Sequence, residues 1–253
     1  MANISTFTPP HYNAVSFSGG KDSTAMLLML LERDVKIDLV VNITSTWEFP
    51  QIVEHVERVK KDTQNSVGKW IIANAPFDYY LIHHKTQPTA KHPEGRIGYG
   101  WAGPRCRWCT SIKTSLLDRI VKVELLQLGS VNAIPYTWFV GIAADEPKRI
   151  KEDPHIRYPL YEWGVTEKEA LQYCYDNGYD FGGLYQHFDR VSCFCCPLQS
   201  MKDLWKLRHY YPELWEKLVE KDSQQTGTVT YRNKETFTEL CNKLDNYKEI
   251  DND

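Results

Sequence analysis

A glycine-containing segment near the start of the chain has residue types suited to holding phosphate groups. It reads Val-Ser-Phe-Ser-Gly-Gly-Lys-Asp-Ser-Thr over residues 15–24. Adjacent glycines can adopt positive φ and bring backbone N–H groups close to an anion. The N-terminus of a following helix adds unpaired N–H groups and a positive partial charge. The spacing is not that of a Walker A loop, and the alternative is a tight strand-to-helix turn without a ligand.

The side chains of this segment divide by charge into two roles. Lys21 supplies a cation for phosphate, whereas Asp22 is better suited to order the loop, cap the helix or help to hold Mg²⁺. Both residues are predicted to be catalytic. The full set of predicted nucleotide contacts in this segment is Ser16, Ser18, Gly19, Gly20, Lys21, Asp22, Ser23 and Thr24.

Four cysteines form two pairs with the spacing of metal ligands. Cys106 and Cys109 are one pair, and Cys193 and Cys196 are the other. Each pair can chelate from one turn, and two turns close a four-thiolate shell. Zinc and a [4Fe–4S] cluster both satisfy this spacing, and Cys-Pro after a ligand pair also occurs in iron–sulfur sequences. Cys195 is a fifth thiol, and it is a candidate catalytic or sulfur-carrying nucleophile, an alternate ligand or an inert neighbour.

A basic stretch with interleaved aromatic residues extends from His83 to Lys113. Six lysines and arginines stand against one acid, Glu94, so the local charge is 6 − 1 = +5. Such a stretch can follow a phosphate backbone and stack bases, which makes tRNA or DNA a candidate partner. The alternative is a solvated loop that serves the small nucleotide. The members are Lys85, Lys91, Arg96, Arg105, Arg107 and Lys113, with His83, His84, His92, Tyr99, Trp101 and Trp108 between them.

Strand and helix patterns alternate along much of the chain. Pro50 opens one helix at the position where a missing N–H group has no cost, and Thr166 with Glu169 forms a capping box at another. The alternation predicts an α/β fold with parallel pairing and right-handed crossovers. Strands are predicted at 13–17, 37–43, 69–73 and 137–143, and helices at 24–33, 50–63, 110–128 and 166–177.

Two segments break the alternation. Residues 85–106 contain many prolines and glycines and are too long for a plain connector, so a functional loop or lid is predicted there. Residues 182–198 are irregular and cysteine-rich, and an amphipathic helix is predicted over 202–221. Its apolar residues are either helix core or a homodimer face. The predicted division is a nucleotide-binding domain over 1–165 and a helical, cysteine-containing C-terminal region over 166–253 that packs on it.

Composition limits the classes of protein to consider. The chain has 253 residues, of which 42% are hydrophobic, so it can build an ordinary packed core. No apolar run is long enough for a membrane span, and the first residues lack the pattern of a secretion signal. A cytoplasmic protein without a membrane partner is therefore expected. Seven cysteines in such a chain favour metal or redox chemistry over disulfides, with Cys174 and Cys241 as ordinary core residues.

The segment at 18–23 resembles the PP-loop of the ATP pyrophosphatases, and two further segments narrow the resemblance. Gly-Ile-Ala-Ala-Asp-Glu at 141–146 resembles a segment of the phosphoadenylyl-sulfate reductase-like branch, and Glu48-Phe49-Pro50 resembles the Phe-Pro that the branch has at a helix start. The resemblance covers roughly residues 13 to 200 and implies an adenine nucleotide alpha-hydrolase-like, Rossmann-like parallel sheet. The nucleotide would lie across the carboxyl ends of its strands, as open sheets in general favour.

The resemblance also adds site residues and favours one cofactor. Gly141 and Arg149 become nucleotide-binding candidates, and Asp145 a catalytic one. Asp145 and Glu146 are acids at a strand end, suited to Mg²⁺ or to ordering Arg149, and the alternative is a surface turn. Because some members of the branch carry a [4Fe–4S] cluster on four similarly placed cysteines, the resemblance favours that cluster, with zinc as the alternative.

Two departures from the branch shape the functional hypothesis. Residues 242–253 lack a Glu-Cys-Gly-type motif, and Ile-Thr-Ser-Thr stands at 43–46 where Asp-Thr-Gly is expected. Both argue against reduction of phosphoadenylyl sulfate. The first hypothesis is an ATP-dependent sulfurtransferase that adenylates tRNA or DNA and takes sulfur from a donor such as a cysteine desulfurase. The alternatives are an adenylyl-sulfate reductase and a non-catalytic regulatory or defence-associated nucleotide-binding module.

Overall fold

A parallel β-sheet is the centre of the fold. A computed structural model of the chain describes residues 11–90, 92–103, 107–128, 135–225, 230–232 and 234–247. Five strands lie in the order β3-β2-β1-β4-β5 in a parallel sheet, as the sequence predicted. The strands are β1 (Tyr12–Ser16), β2 (Leu39–Thr44), β3 (Trp70–Asn74), β4 (Tyr136–Val140) and β5 (Ile156–Arg157).

The strand order creates a switch point between β1 and β4. From β1 the chain proceeds to β2 and β3 on one side, and it then returns to β4 on the other side of β1. Val15 of β1 pairs in register with Val40 of β2 and with Phe139 of β4, so the carboxyl ends of these strands lie together. In open α/β sheets a ligand crevice forms where the strand order reverses. A ligand site is therefore expected at the loops after β1 and β4.

The helices agree closely with the sequence pattern in the first part of the chain. Helix α2 has the predicted bounds, and the predicted capping box opens α5, where the Thr166 hydroxyl accepts from the Glu169 N–H. Helix α1 is buried nearly all round, as its continuous apolar sequence requires. The helices are α1 (Lys21–Glu32), α2 (Pro50–Thr63), α3 (Trp108–Gln127), α4 (Pro159–Glu162), α5 (Glu167–Asp176), α6 (Leu184–His187), α7 (Met201–Tyr210), α8 (Pro212–Ser223) and α9 (Phe237–Asp245).

The C-terminal part differs from the prediction in two ways. The single helix predicted over 202–221 is two helices, α7 and α8, because Pro212 lacks an N–H group and its ring blocks continuation from the preceding turn. Helix α9 was not predicted. A capping box of Thr236 and Glu239 opens it, and it buries Phe237 and Leu240. Among the described helices, none has both the length and the apolar character that a membrane crossing requires.

The described residues form two compact units, each made of segments that are separated in the sequence. The first contains residues 11–44, 51–73 and 114–182, and includes nearly all of the sheet. Helix α5 belongs to it because α5 packs on α1. The second contains residues 45–50, 74–113 and 183–247. The C-terminal helices therefore belong to the same unit as the residues around Trp47 and the basic stretch.

An aromatic cluster forms the core of the second unit. The indole of Trp47 lies 5.1 Å from Phe77, 5.8 Å from Trp101 and 5.7 Å from Trp108, measured between ring centroids. Each of these four residues is less than a tenth exposed. Burying large aromatic rings contributes much of the stability of a small core. This cluster supports the chain segments that carry the cysteines.

Candidate nucleotide site and cysteine cavity

The loop after β1 makes a glycine turn directly into the start of α1. Gly19 has φ of +81°, and a Cβ there would lie 2.6 Å from Val56, so only glycine fits. Gly20 has φ of −82° and is the N-cap of α1, so the expectation of positive φ is met at only one of the two glycines. Since an extended residue commonly precedes a helix, Gly20 needs no positive φ. Behind it, the first-turn N–H groups of α1 lack helical partners.

Two serine hydroxyls hold the loop in shape. The Ser23 hydroxyl donates to the Gly20 carbonyl at 3.0 Å and accepts from the Ser18 N–H at 3.2 Å. The hydroxyls of Ser18 and Ser23 are 2.9 Å apart. Because these bonds lie within the loop, they hold its backbone in one conformation. Preorganisation of this kind lowers the entropic cost of binding.

Lys21 is a buried cation held by carboxylates. The side chain is 6% exposed, and Nζ lies 3.1 Å from Glu167 and 3.5 Å from Asp22. A phosphate at this position would compete with both carboxylates for the ammonium group. The predicted cation is therefore in place, and the structure adds partners for it that the sequence did not indicate.

Three carboxylates near Lys21 form a candidate cation site, here called the carboxylate group. One oxygen each of Asp22, Glu146 and Glu167 lies within 4.8 Å of the others. Burial raises the pKa of Asp22 to about 6; Lys21 opposes the rise, while Glu167 and Glu146 add to it. Although Oδ1 of Asp22 faces Lys21, it accepts no hydrogen bond within the part of the chain that the structure describes. An under-satisfied carboxylate among others fits Mg²⁺, which prefers oxygen ligands.

The loop after β4 frames the same site. A Cβ at Gly141 would lie 2.8 Å from the Ser23 backbone nitrogen, so this glycine lets the loop approach the start of α1. Asp145 does not join the carboxylate group. Its Oδ1 accepts the Glu167 N–H at 3.0 Å and so positions α5. Arg149 pairs with Glu146, which is one of the two roles expected for that acid.

Thr24 was predicted to contact the nucleotide, but its side chain contacts His55 instead. It is fully buried, and its hydroxyl lies 2.9 Å from Nε2 of His55. Burial lowers the pKa of His55 to about 4, so the ring is neutral near pH 7. Thr24 therefore supports α1 from behind. Ser16, the last residue of β1, is half-buried.

Three of the four predicted metal ligands line one cavity in the second unit, here called the cysteine cavity. Cys109 comes from the start of α3, and Cys193 and Cys196 from the irregular segment before α7. Trp47 and Pro197 are among its other walls. Cys106, the fourth predicted ligand, lies outside the described residues.

A partly buried ion pair lies beside these thiols. Lys113 donates to Glu48 at 2.8 Å, and Glu48 lies 3.7 Å from the Cys193 sulfur. Burial, then the charge of Glu48, raises the pKa of the Cys193 thiol well above its ordinary value. Although burial acts to lower the pKa of Lys113, the negative charges of Cys193 and Glu48 outweigh it and raise that pKa. Adjacent thiols with a permanent cation fit a metal centre, because a metal ion converts coordinating thiols to thiolates whose charge Lys113 would offset.

The separation of the thiols bears on the identity of the metal. Zinc holds thiolates at about 2.3 Å, which places ligand sulfurs about 3.8 Å apart. Within the described residues, the sulfurs of Cys109, Cys193 and Cys196 do not all lie within 4.8 Å of one another. The three thiols therefore do not form a closed tetrahedral shell in their present positions, and both zinc and a [4Fe–4S] cluster are compatible with the cysteine set.

Cys195 does not have the surroundings of a nucleophile. It is fully buried, and burial raises the pKa of its thiol well above the ordinary value. A nucleophilic cysteine needs an accessible thiolate, so the structure favours the inert alternative over the catalytic one. Cys174 is also fully buried, as expected, and its thiol lies 3.4 Å from the Lys21 carbonyl. Cys241 is half-buried in α9.

Several residues of these sites were not predicted. Glu167 lies 146 positions from Lys21, and only the packing of α5 on α1 brings the two together. Lys113 was counted as part of the basic stretch, and Glu48 as part of a helix start. A single sequence does not reveal such long-range pairs, although the capping box at Thr166 did locate the helix that carries Glu167.

The chain is similar in sequence to two known proteins. Two uncharacterized proteins of Methanocaldococcus jannaschii are each 26% identical to the chain, over 217 and 211 residues. These alignments cover 80% and 81% of this chain but 40% and 46% of the relatives, so the chain spans less than half of their length.

The chain is also similar to a solved structure and to a family model. The U34-tRNA thiolase NcsA from Methanococcus maripaludis, with its [4Fe-4S] cluster, has a TM-score of 0.40 and 14% identity, over 85% of this chain and 71% of that chain. At that level nothing of its chemistry is transferred to this chain. The model of the phosphoadenosine phosphosulfate reductase domain matches residues 12–199, which is more than half of the chain. The chain therefore belongs to the phosphoadenosine phosphosulfate reductase domain family.

Proposed function

We propose that the chain is an ATP-dependent sulfurtransferase that adenylates a nucleic-acid substrate and replaces the activated oxygen with sulfur. Family membership implies adenine nucleotide binding, and members of the family are typically enzymes. The observation that carries the proposal is that one chain holds both a glycine-containing loop with the buried cation Lys21 at a helix start and a cavity lined by three cysteines. The loop suits nucleotide activation, and the cavity suits sulfur chemistry.

In the first step, a carbonyl oxygen of the substrate attacks the α-phosphorus of ATP. An oxygen–phosphorus bond forms, the bond to the β-phosphate bridge breaks, and pyrophosphate leaves with the electron pair. The first-turn N–H groups of α1 and the ammonium group of Lys21 stabilise the leaving charge. Asp22, Glu146 and Glu167 are the residues that would hold Mg²⁺, which neutralises phosphate oxygens when bound.

In the second step, hydrosulfide from a donor, such as a cysteine desulfurase acting with a thiol reductant, attacks the activated carbon. A carbon–sulfur bond forms, the carbon–oxygen bond breaks, AMP leaves with the electron pair, and a proton passes to solvent. Cys109, Cys193 and Cys196, with Cys106, would hold a [4Fe–4S] cluster, which when bound supplies sulfur-binding chemistry. Lys113 offsets the thiolate charge, and Trp47 limits access of water.

The test is ATP–pyrophosphate exchange by anaerobically purified protein, with and without tRNA or single-stranded DNA. Labelled pyrophosphate should enter ATP only when an acceptor is present, and added sulfide should yield AMP in step with sulfur in the nucleic acid. Lys21→Met should abolish both activities, whereas Lys168→Met, an exposed lysine of α5, should leave them unchanged. Absence of AMP under these conditions contradicts the proposal. Sulfite release from adenylyl sulfate would instead support the reductase.

A further inference from the structure

The basic stretch contains an ordered hairpin. Lys85 and Ile97 form an antiparallel bridge, and the Thr86 N–H donates to the Arg96 carbonyl at 2.8 Å. Gly98 closes the base, where a Cβ would lie 2.2 Å from the Leu81 carbonyl oxygen. The described part of the segment predicted as a functional loop or lid is therefore held by backbone hydrogen bonds.

An aromatic layer lies beneath this hairpin. The rings of Tyr80 and Tyr99 are stacked, with centroids 5.8 Å apart and planes 4° apart. Tyr99 also packs on His84 at 4.7 Å and on Trp108 at 5.6 Å. Tyr79, 52% exposed, lies 5.5 Å from Tyr80 and presents its ring at the edge of the layer. A supported, exposed ring of this kind can stack an unpaired base.

Exposed cations flank the aromatic layer. Lys85, Arg96 and Arg107 are exposed, and within the described residues none of them forms an ion pair. The single acid of the stretch, Glu94, does not neutralise them. Cations without acidic partners around a stacking surface are complementary to a phosphate backbone with unstacked bases.

One of these three cations also lines the cysteine cavity. Arg107 lines the cavity together with Cys109, and Trp108 between them packs on Tyr99. All of these residues belong to the second unit. A strand whose phosphate contacts Arg107 would therefore lie beside the cavity.

We propose that Tyr79, Lys85, Arg96 and Arg107 form a binding surface for a single-stranded segment of nucleic acid. The phosphates contact the three cations and a base stacks on Tyr79, so that the strand is directed toward the cysteine cavity. This inference deepens the proposed function, on which its last clause rests. The binding surface itself depends only on the hairpin and the aromatic layer.

The test is fluorescence anisotropy with labelled single-stranded RNA of roughly 16 nucleotides, DNA of the same sequence, and the corresponding duplexes. Lys85→Ala/Arg96→Ala should weaken single-strand binding about tenfold at about 0.1 M salt and reduce the salt-dependence slope by about 1.4, because about two phosphate contacts are lost. Tyr79→Ala should weaken binding at every salt concentration, whereas Tyr79→Phe should not. Arg119→Ala/Lys122→Ala on α3 is the matched control and should bind as the wild type does.

The outcomes separate this inference from the proposed function. A preference for RNA or for DNA identifies the source of the strand. Equal binding by the hairpin variants, tighter binding of duplex, or equal competition by poly-glutamate overturns the surface. Calorimetry of each variant with ATP should give the wild-type affinity, since the hairpin belongs to the second unit. If ATP does not bind the wild type, the proposed function fails, and the anisotropy result still decides the surface.

Discussion

The negative charge of Asp22 lowers the stability of the folded chain. Its neighbouring carboxylates suggest that this charge helps to bind a cation. It lies against Lys21 but also beside Glu146 and Glu167, and burial is the main reason that its pKa rises to about 6. A cation between the three carboxylates would relieve both the burial and the repulsion. A charged group that lowers the stability of the fold in this way is typical of a binding site.

The pH dependence of stability tests this arrangement. Because the pKa of Asp22 is higher in the folded chain than in the unfolded chain, the folded chain holds a proton between about pH 4 and 6 that the unfolded chain has lost. The Asp22 contribution to the free energy of unfolding therefore falls as pH rises through this window and stays low above it. Asp22→Asn should raise the free energy of unfolding by roughly 2 kcal/mol at about pH 8 and change it little at about pH 4.

Urea unfolding at the two pH values measures the effect of Asp22→Asn. Asp118→Asn, an exposed carboxylate on α3, controls for the loss of one negative charge. A stabilisation of the same size at both pH values would mean that Asp22 is not the strained group described here.

The residues of the loop were predictable because phosphate binding constrains adjacent positions. Glycines, a lysine and hydroxyls between a strand and a helix form a local pattern, and Gly19 has the positive φ that the pattern requires. Glu167 and the Lys113–Glu48 pair were not predictable, because their partners are distant in sequence and only packing joins them. The burial of Cys195 is likewise a property of the fold and not of the cysteine motif.

Among the elements, the contact between the β4 loop and α1 holds the nucleotide loop in place. Gly141 permits this contact, since its missing side chain leaves room for the backbone of Asp22 and Ser23. The neighbouring atoms are main chain and cannot rotate away. A methyl group here must displace either the loop or the first turn of the helix.

Gly141→Ala should therefore destabilise the chain by about 1–3 kcal/mol and weaken ATP binding, because the overpacked backbone must shift. Gly103→Ala is the matched control, since a Cβ there meets no atom within 4 Å. Thermal unfolding and ATP titration of the two variants make the comparison. If Gly141→Ala unfolds and binds as Gly103→Ala does, the close approach has no role.

The positions of most strands and helices could be predicted from the local sequence pattern. The elements that were missed have local causes. Apolar strands alternating with capped helices specify parallel pairing, and β1, β2, β3 and β4 lie within a few residues of the predicted bounds. The predicted single helix near the C-terminus fails at Pro212, where apolar periodicity continues although the backbone cannot. Strand β5 has only two residues and carries almost no pattern.

At the scale of the whole molecule, sequence order and spatial organisation differ. The second unit gathers three separated segments, so Cys109 and Cys193 share a unit although they are 84 positions apart (193 − 109). The paired spacing of the cysteines predicted a shared site, but not which other residues would line it. The family match ends at residue 199, before α7, α8 and α9.

Metal content tests the cysteine cavity. If a [4Fe–4S] cluster occupies the cysteine cavity as proposed, anaerobically purified protein should contain iron and sulfide and absorb broadly in the visible range. Cys109→Ser and Cys193→Ser should lose the absorption. Cys241→Ser, a half-buried cysteine of α9, should retain it. A colourless protein with one bound zinc ion would mean that the cysteine cavity is a structural zinc site, and it would contradict the proposed role of the cavity in sulfur transfer.

The account as a whole depends on the loop at residues 18–23 holding the phosphates of an adenine nucleotide. Calorimetric titration of the wild type and of Lys21→Met with ATP and with AMP, in the presence of Mg²⁺, tests this most directly. The wild type should bind ATP at least about tenfold more tightly than AMP, since ATP brings more phosphate charge to Lys21 and the helix N-terminus. Lys21→Met should abolish that difference. No heat with ATP, or equal affinity for ATP and AMP in the wild type, would contradict the account.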